Sequence, residues 1–124
     1  MPKTILGLIV QALKARKVKG IKPFTVMSCD NLPNNGKLAK AAVLAFAREA
    51  DADLASWIEA NVCFPCTMVD RITPATTDAD RAHVNSVIGM EDAWPVVTEQ
   101  FYQWVIEDQF TMGRPEWDKV GAIF

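Results

Sequence analysis

Phe64-Pro65-Cys66-Thr67-Met68-Val69-Asp70-Arg71-Ile72-Thr73-Pro74 is a mostly apolar, β-prone run that ends abruptly in an acid-base pair and a Thr-Pro turn. It reads as a strand over residues 62–72 whose regular ladder starts after Pro65, since proline has no N–H to give to a sheet. An ionisable pair therefore stands at a strand end. Upstream, Phe24-Thr25-Val26-Met27-Ser28-Cys29 is a second short apolar run, framed by Pro23 before it and Asp30-Asn31-Leu32-Pro33-Asn34-Asn35-Gly36 after it. That framing predicts a buried strand leaving into a loop.

The segments around these two strands read as helices. Ile5, Leu6, Ile9, Val10 and Leu13 recur at helical spacing, and Lys14, Arg16, Lys17 and Lys19 crowd the far end before Gly20, where cations suit a helix C-terminus. Across residues 37–50 the alanines, with Leu38, Val43, Leu44 and Phe46, make a second helix. Residues 51–53 interrupt this helix, and Leu54, Trp57 and Ile58 carry a third helical piece. Thr77-Asp78-Ala79-Asp80 predicts a helix cap, followed by a short helix through His83 and Val87 to Gly89. Residues 95–99 and 102–107 read as two further strands, neighbours in a meander, and residues 112–124 as an irregular tail. This alternation predicts an α/β fold: a mostly parallel sheet of about 3–4 strands flanked by helices, in a single domain over residues 1–124. Ligands of such sheets sit beyond the carboxyl ends of the strands. Both polar junctions, Asp30-Asn31 and Asp70-Arg71, fall there.

Bulk properties narrow the function. The chain has 124 residues, 50% hydrophobic and 23% charged, which suits one globular domain. A net charge of -2 leaves no basic footprint for nucleic acid. No apolar run is long enough for a bilayer, and no small-residue cleavage site follows the first apolar segment, so neither a membrane span nor a signal peptide is expected. Three cysteines, an odd number, fit reduced thiols in a cytoplasmic protein.

Cys63-Phe64-Pro65-Cys66 has the spacing of a dithiol redox centre, but the residues after Cys66 form a strand pattern rather than the helix whose N-terminus would activate a thiolate. Cys29, Cys63, Cys66 and His83 are zinc-ligand types with one short-spaced pair among them, and no metal site is expected. Asn31 is either turn chemistry or a neutral donor to a substrate oxygen. Asp70-Arg71 is either a salt bridge locking a strand end or a carboxylate, held by Arg71, that orients a sugar or nicotinamide-ribose hydroxyl. Trp57, Trp94, Trp104 and Trp117 read as packing. The glycines stand at 7, 20, 36, 89, 113 and 121, so no G-x-G pair can bring the backbone up to a pyrophosphate.

Four stretches carry a resemblance. Pro2-Lys3-Thr4-Ile5, the 24–36 run quoted above, Thr67-Met68-Val69-Asp70-Arg71-Ile72-Thr73-Pro74 and Gln103-Trp104-Val105-Ile106-Glu107-Asp108 closely resemble the long-chain mannitol dehydrogenase family of mannitol 2-dehydrogenases and mannonate oxidoreductases. The resemblance runs along essentially the whole chain and implies a partial Rossmann-like layer, the second half of the family's N-terminal dinucleotide-binding domain. It further implies a glycine-rich motif upstream and a catalytic lysine, with partner Asn and His, downstream; Lys37, Lys40 and His83 do not match those residues. By resemblance, Asn31 is the asparagine that helps polarise the substrate carbonyl beside the cofactor, and Asp70 the acid near the nicotinamide. The implied parent enzyme uses NAD or NADP to move hydride between the nicotinamide and mannitol/fructose or mannonate/fructuronate. Taken alone, the chain is expected to bind no cofactor and to be inactive. Two rival readings are a non-enzymatic module that self-associates into a homo-oligomer through an exposed sheet edge and, behind it, a thiol oxidoreductase using Cys63 and Cys66.

Overall fold

The computed structural model describes residues 2–123. The chain forms two compact units, Met1–Met68 with Val105–Phe124, and Val69–Trp104.

The first unit is built on three helices. In α1 (Ile5–Val18), Thr4 caps the start by accepting from Gly7 N at 3.2 Å. The helix stops at Gly20, whose φ of +66° lets Ile21 N turn back to Arg16 O. α2 (Asn35–Ala50) and α3 (Ala52–Asn61) are parted by the single residue Asp51, whose extended backbone breaks the helix while its carboxylate accepts from Leu54 N at 3.0 Å. The break falls in the interruption read from the sequence. α2 packs on both α1 and α3, and Leu13, Val43, Leu54 and Ile58, all essentially inaccessible, form the centre of the core.

Residues 24–29 lie extended beside residues 63–67. Val26 N donates to Cys63 O at 3.0 Å and Thr67 Oγ1 to Ser28 O at 2.6 Å, so the two segments run the same way and α2 and α3 form the crossover between them. That is the expected α/β alternation. The strand count differs from expectation, for among the described residues the hydrogen-bonded ladder is one two-stranded sheet, β1 (Thr67–Asp70) with β2 (Gln103–Ile106). Backbone bonds from Glu107 N to Cys66 O and from Glu99 N to Ile72 O mark the two ends of this pairing as antiparallel. The reason is where the donors go. Cys63 N donates to Thr111 Oγ1, Cys66 N to Glu107 Oε2 and Thr67 N to Asn35 Oδ1, so side chains take the place of ladder partners. Pro23 and Pro65 have no N–H to contribute. Residues 95–99, expected as a strand, form no ladder among the described residues; Glu99 accepts from Ile72 N through Oε1 and donates to Ile72 O through its backbone, and Pro95 O accepts from Thr76 Oγ1.

The second unit contains α4 (Asp78–Ile88), which starts on the predicted cap. Thr77 Oγ1 accepts from Asp80 N, Thr77 N donates to the Asp80 carboxylate, and Gly89 ends the helix with φ at +71°. The tail carries a short 3-10 turn, Trp117–Val120, with the Trp117 ring edge-on to Phe110.

Two carboxylates at helix N-termini are held below the usual aspartate range, the N-cap Asp51 chiefly by the Leu54 N–H and then by Lys14, and Asp80, third residue of α4, by the Thr77 hydroxyl and backbone N–H. A depressed folded pKa stabilises the fold above the unfolded value of about 4 and withdraws that stability as pH falls through the folded value. Carboxyl NMR titrations are expected to show both groups titrating below the ordinary aspartate value. Asp51→Asn, which caps without a charge, is expected to leave neutral-pH stability nearly unchanged and to flatten the loss of stability in acid; an unaltered acid profile would contradict this assignment.

Candidate functional site

The loop after residues 24–29 is shaped by its own polar groups. Leu32 N turns back to Asp30 O at 2.8 Å and Asp30 N donates to Ser28 Oγ at 3.3 Å. Asn34 then takes the left-handed conformation, with φ at +55°, which asparagine tolerates better than most residues, and its carbonyl receives Leu38 N to open α2. Asn31 stands exposed at the carboxyl end of the extended segment, just before this turn. With Asp30, Leu32, Pro33, Asn34, Thr67 and Met68 it lines a pocket of about 300 Å³. Among the described residues its carboxamide has no hydrogen-bond partner, so both donor hydrogens are available to a ligand, and a neutral donor stays a donor at every working pH. A larger cleft of about 500 Å³ runs along residues 26–30 between α1 and α2; it is lined mainly by Ile5, Leu6, Ile9, Val26 and Val43 and is polar only at its Ser28-Asp30 end.

Beneath the Asn31 turn lies a polar group that the sequence does not announce. Asn35, 2% exposed, receives Gly36 N at 2.8 Å and Thr67 N at 2.9 Å on Oδ1. Its Nδ2 faces Asp30 O at 2.9 Å, Thr67 O at 2.9 Å, Thr67 Oγ1 at 3.1 Å and Ser28 O at 3.2 Å. In the sequence Asn34-Asn35-Gly36 reads as turn chemistry; no spacing marks Asn35 as buried, because its partner Thr67 is thirty-two residues away. Gly36 follows with its Cα against the backbone of Phe64 and Pro65.

Asp70 ends β1 in the second unit and is exposed, whereas Asn31 belongs to the first. Arg71 does not hold it. The guanidinium donates through Nε to Glu99 O at 3.0 Å and lies 5.7 Å over the Tyr102 ring, because successive residues of an extended chain leave on opposite faces. Both expected uses of an Asp70-Arg71 pair, structural lock and carboxylate clamp, are therefore corrected: the Asp70 carboxylate is left open at the strand end.

Cys63 and Cys66 are free thiols on extended chain, neither on a helix. Cys29 is exposed in the first unit and His83 exposed on α4 in the second. Among the described residues no three His, Cys, Asp or Glu side chains converge as metal ligands. No helix of the described residues is long and apolar enough to cross a membrane.

Comparison with known proteins places this geometry. Residues 1–119 match the model of the mannitol dehydrogenase Rossmann domain. D-mannonate oxidoreductase of Escherichia coli (strain K12) is 55% identical over 123 residues, 99% of this chain and 25% of that protein. Mannitol 2-dehydrogenase of Phaeosphaeria nodorum is 49% identical over 121 residues, 98% of this chain and 21% of that protein. The solved structure of Pseudomonas fluorescens mannitol 2-dehydrogenase, in ternary complex with NAD and D-mannitol, superposes with a TM-score of 0.81 at 56% identity, covering 97% of this chain and 24% of that one. The chain thus spans about a quarter of the length of the relatives it matches. With a family model matched over residues 1–119, this chain belongs to the mannitol dehydrogenase Rossmann-domain family and is a partial Rossmann α/β layer.

Proposed function

We propose that this chain is the second half of the dinucleotide-binding domain of an NAD(P)-dependent polyol or sugar-acid dehydrogenase, a cytoplasmic enzyme acting on mannitol/fructose or mannonate/fructuronate. The observation that carries this reading is Asn31, an unpartnered carboxamide lining a pocket at the carboxyl end of an extended segment, where α/β sheets bind ligands. The residues present fit one end of the cofactor. Asn31 supplies donors for the nicotinamide end, and Asp70, taken by itself, presents an open carboxylate that can accept from a ribose hydroxyl, while glycines at 7, 20, 36, 89, 113 and 121 offer no cradle for a pyrophosphate. When bound, NAD(P) supplies the hydride acceptor or donor.

The Asn31 amide donates to the substrate oxygen, which gains negative charge as the C–H bond forms and gives it up as that bond breaks, and its bond is strongest where that charge is greatest. The general base that takes the hydroxyl proton is not assigned to any residue of this chain. The chain alone is therefore expected to show no turnover with NAD(P)H and fructose or fructuronate; turnover above background would overturn that. Transplanted for the matching quarter of Pseudomonas fluorescens mannitol 2-dehydrogenase, it is expected to support NAD-dependent oxidation of D-mannitol. A folded chimera without activity would count against the assignment.

A further inference from the structure

We propose that Asn35 is the positioning residue that aims Asn31, an inference resting on the function proposed above. Its Nδ2 bond to Asp30 O, at 2.9 Å, grips one oxygen of a planar peptide unit whose nitrogen belongs to Asn31. Fixing that oxygen fixes the plane from which the Asn31 side chain departs. The grip is anchored elsewhere, since the same amide nitrogen faces Thr67 O and Ser28 O, and Oδ1 receives Thr67 N and Gly36 N. Two hydrogens serve four neighbouring acceptors and the oxygen serves two donors, so the side chain's full capacity is used within the first unit. Burial at 2% exposure keeps water from replacing any of these bonds. A carboxamide is required here because the site presents N–H groups on one side and carbonyls on the other. A carboxylate would receive Thr67 N and Gly36 N equally well and repel Asp30 O, Ser28 O and Thr67 O.

The test separates positioning from bulk stability and from the proposed catalysis. In the 124-residue chain, Asn35→Asp is expected to shift the Asp30 and Asn31 resonances and to raise amide exchange at Asn31 and Leu32 by about tenfold, while the amides of Leu13 and Ile58 keep their protection. Unmoved resonances at Asp30 and Asn31 would overturn the proposal. Should Asn35→Asp not fold, the unaltered chain still decides: a through-bond coupling from the Asn35 side-chain nitrogen to the Asp30 carbonyl carbon is expected, and its absence would overturn the proposal. In the active chimera, Asn35→Asp is expected to lower kcat roughly 100-fold with the KM for NAD unchanged. Ile58→Val, which thins the buried core without touching the Asn31 pocket or Asn35, is expected to keep kcat within about threefold. Equal losses of kcat in both variants would reduce Asn35 to a stabilising role. An inactive parent chimera would refute the functional reading and leave the NMR result standing.

Discussion

Gly36→Ala is expected to lose about 3 kcal/mol of folding stability, at the top of the usual range for overpacking. A Cβ at this position would lie 2.5 Å from both Phe64 O and Pro65 O and 2.6 Å from Pro65 C. These are backbone atoms, held by Val26 N on Cys63 O and by Asn35 on Thr67, so they cannot swing away as a side-chain end would. The cost does not come from backbone conformation, for Gly36 is a helical residue in the first turn of α2 and is absent from the positive-φ glycines. It comes from the close approach of a helix start to an extended segment, a use of glycine distinct from the turn. Urea unfolding is expected to show a lower midpoint with an unchanged slope. A change below about 0.5 kcal/mol would mean that α2 does not sit against Phe64 and Pro65 as described.

The second large effect is on chemistry. In the chimera with Pseudomonas fluorescens mannitol 2-dehydrogenase, Asn31→Ala is expected to lower kcat by roughly 100- to 1,000-fold, the loss typical of removing one donor to a developing oxyanion. Stability should stay within about 0.5 kcal/mol of the unsubstituted chimera, because the exposed Asn31 side chain has no hydrogen-bond partner to lose among the described residues. Asn31→Asp is expected to be at least as damaging, since a carboxylate repels the charge that the amide stabilises. An Asn31→Ala chimera with ordinary kcat would return Asn31 to simple turn chemistry.

The helices were legible because their signals are local. The helix cap expected at Thr77–Asp80 is present, as a capping box, Asp51 breaks α2 from α3, and Arg16 and Lys17 close the basic end of α1. The extended segments were legible as apolar runs, but their pairing was not, since a strand is defined by distant partners. Cys63, Cys66 and Thr67 direct their N–H groups to Thr111, Glu107 and Asn35, none of them adjacent in sequence. Arg71 illustrates the same limit: beside Asp70 in the chain, it turns to Glu99 and Tyr102. At the candidate site, Asn31 and Asp70 could be singled out by residue type at strand ends and by the family resemblance. Asn35 could not, because in sequence it has the same turn-forming context as Asn34 and differs only in being buried.

If this chain is the second half of a dehydrogenase's dinucleotide-binding domain, it should work in place of that half in a relative. The decisive measurement is kcat/KM for NAD-dependent D-mannitol oxidation by the chimera, beside the parent Pseudomonas fluorescens enzyme under the same conditions. At 56% identity with matching backbone, the chimera is expected to retain kcat/KM within about tenfold of the parent. A chimera that folds and binds NAD yet turns over no mannitol would contradict the claim.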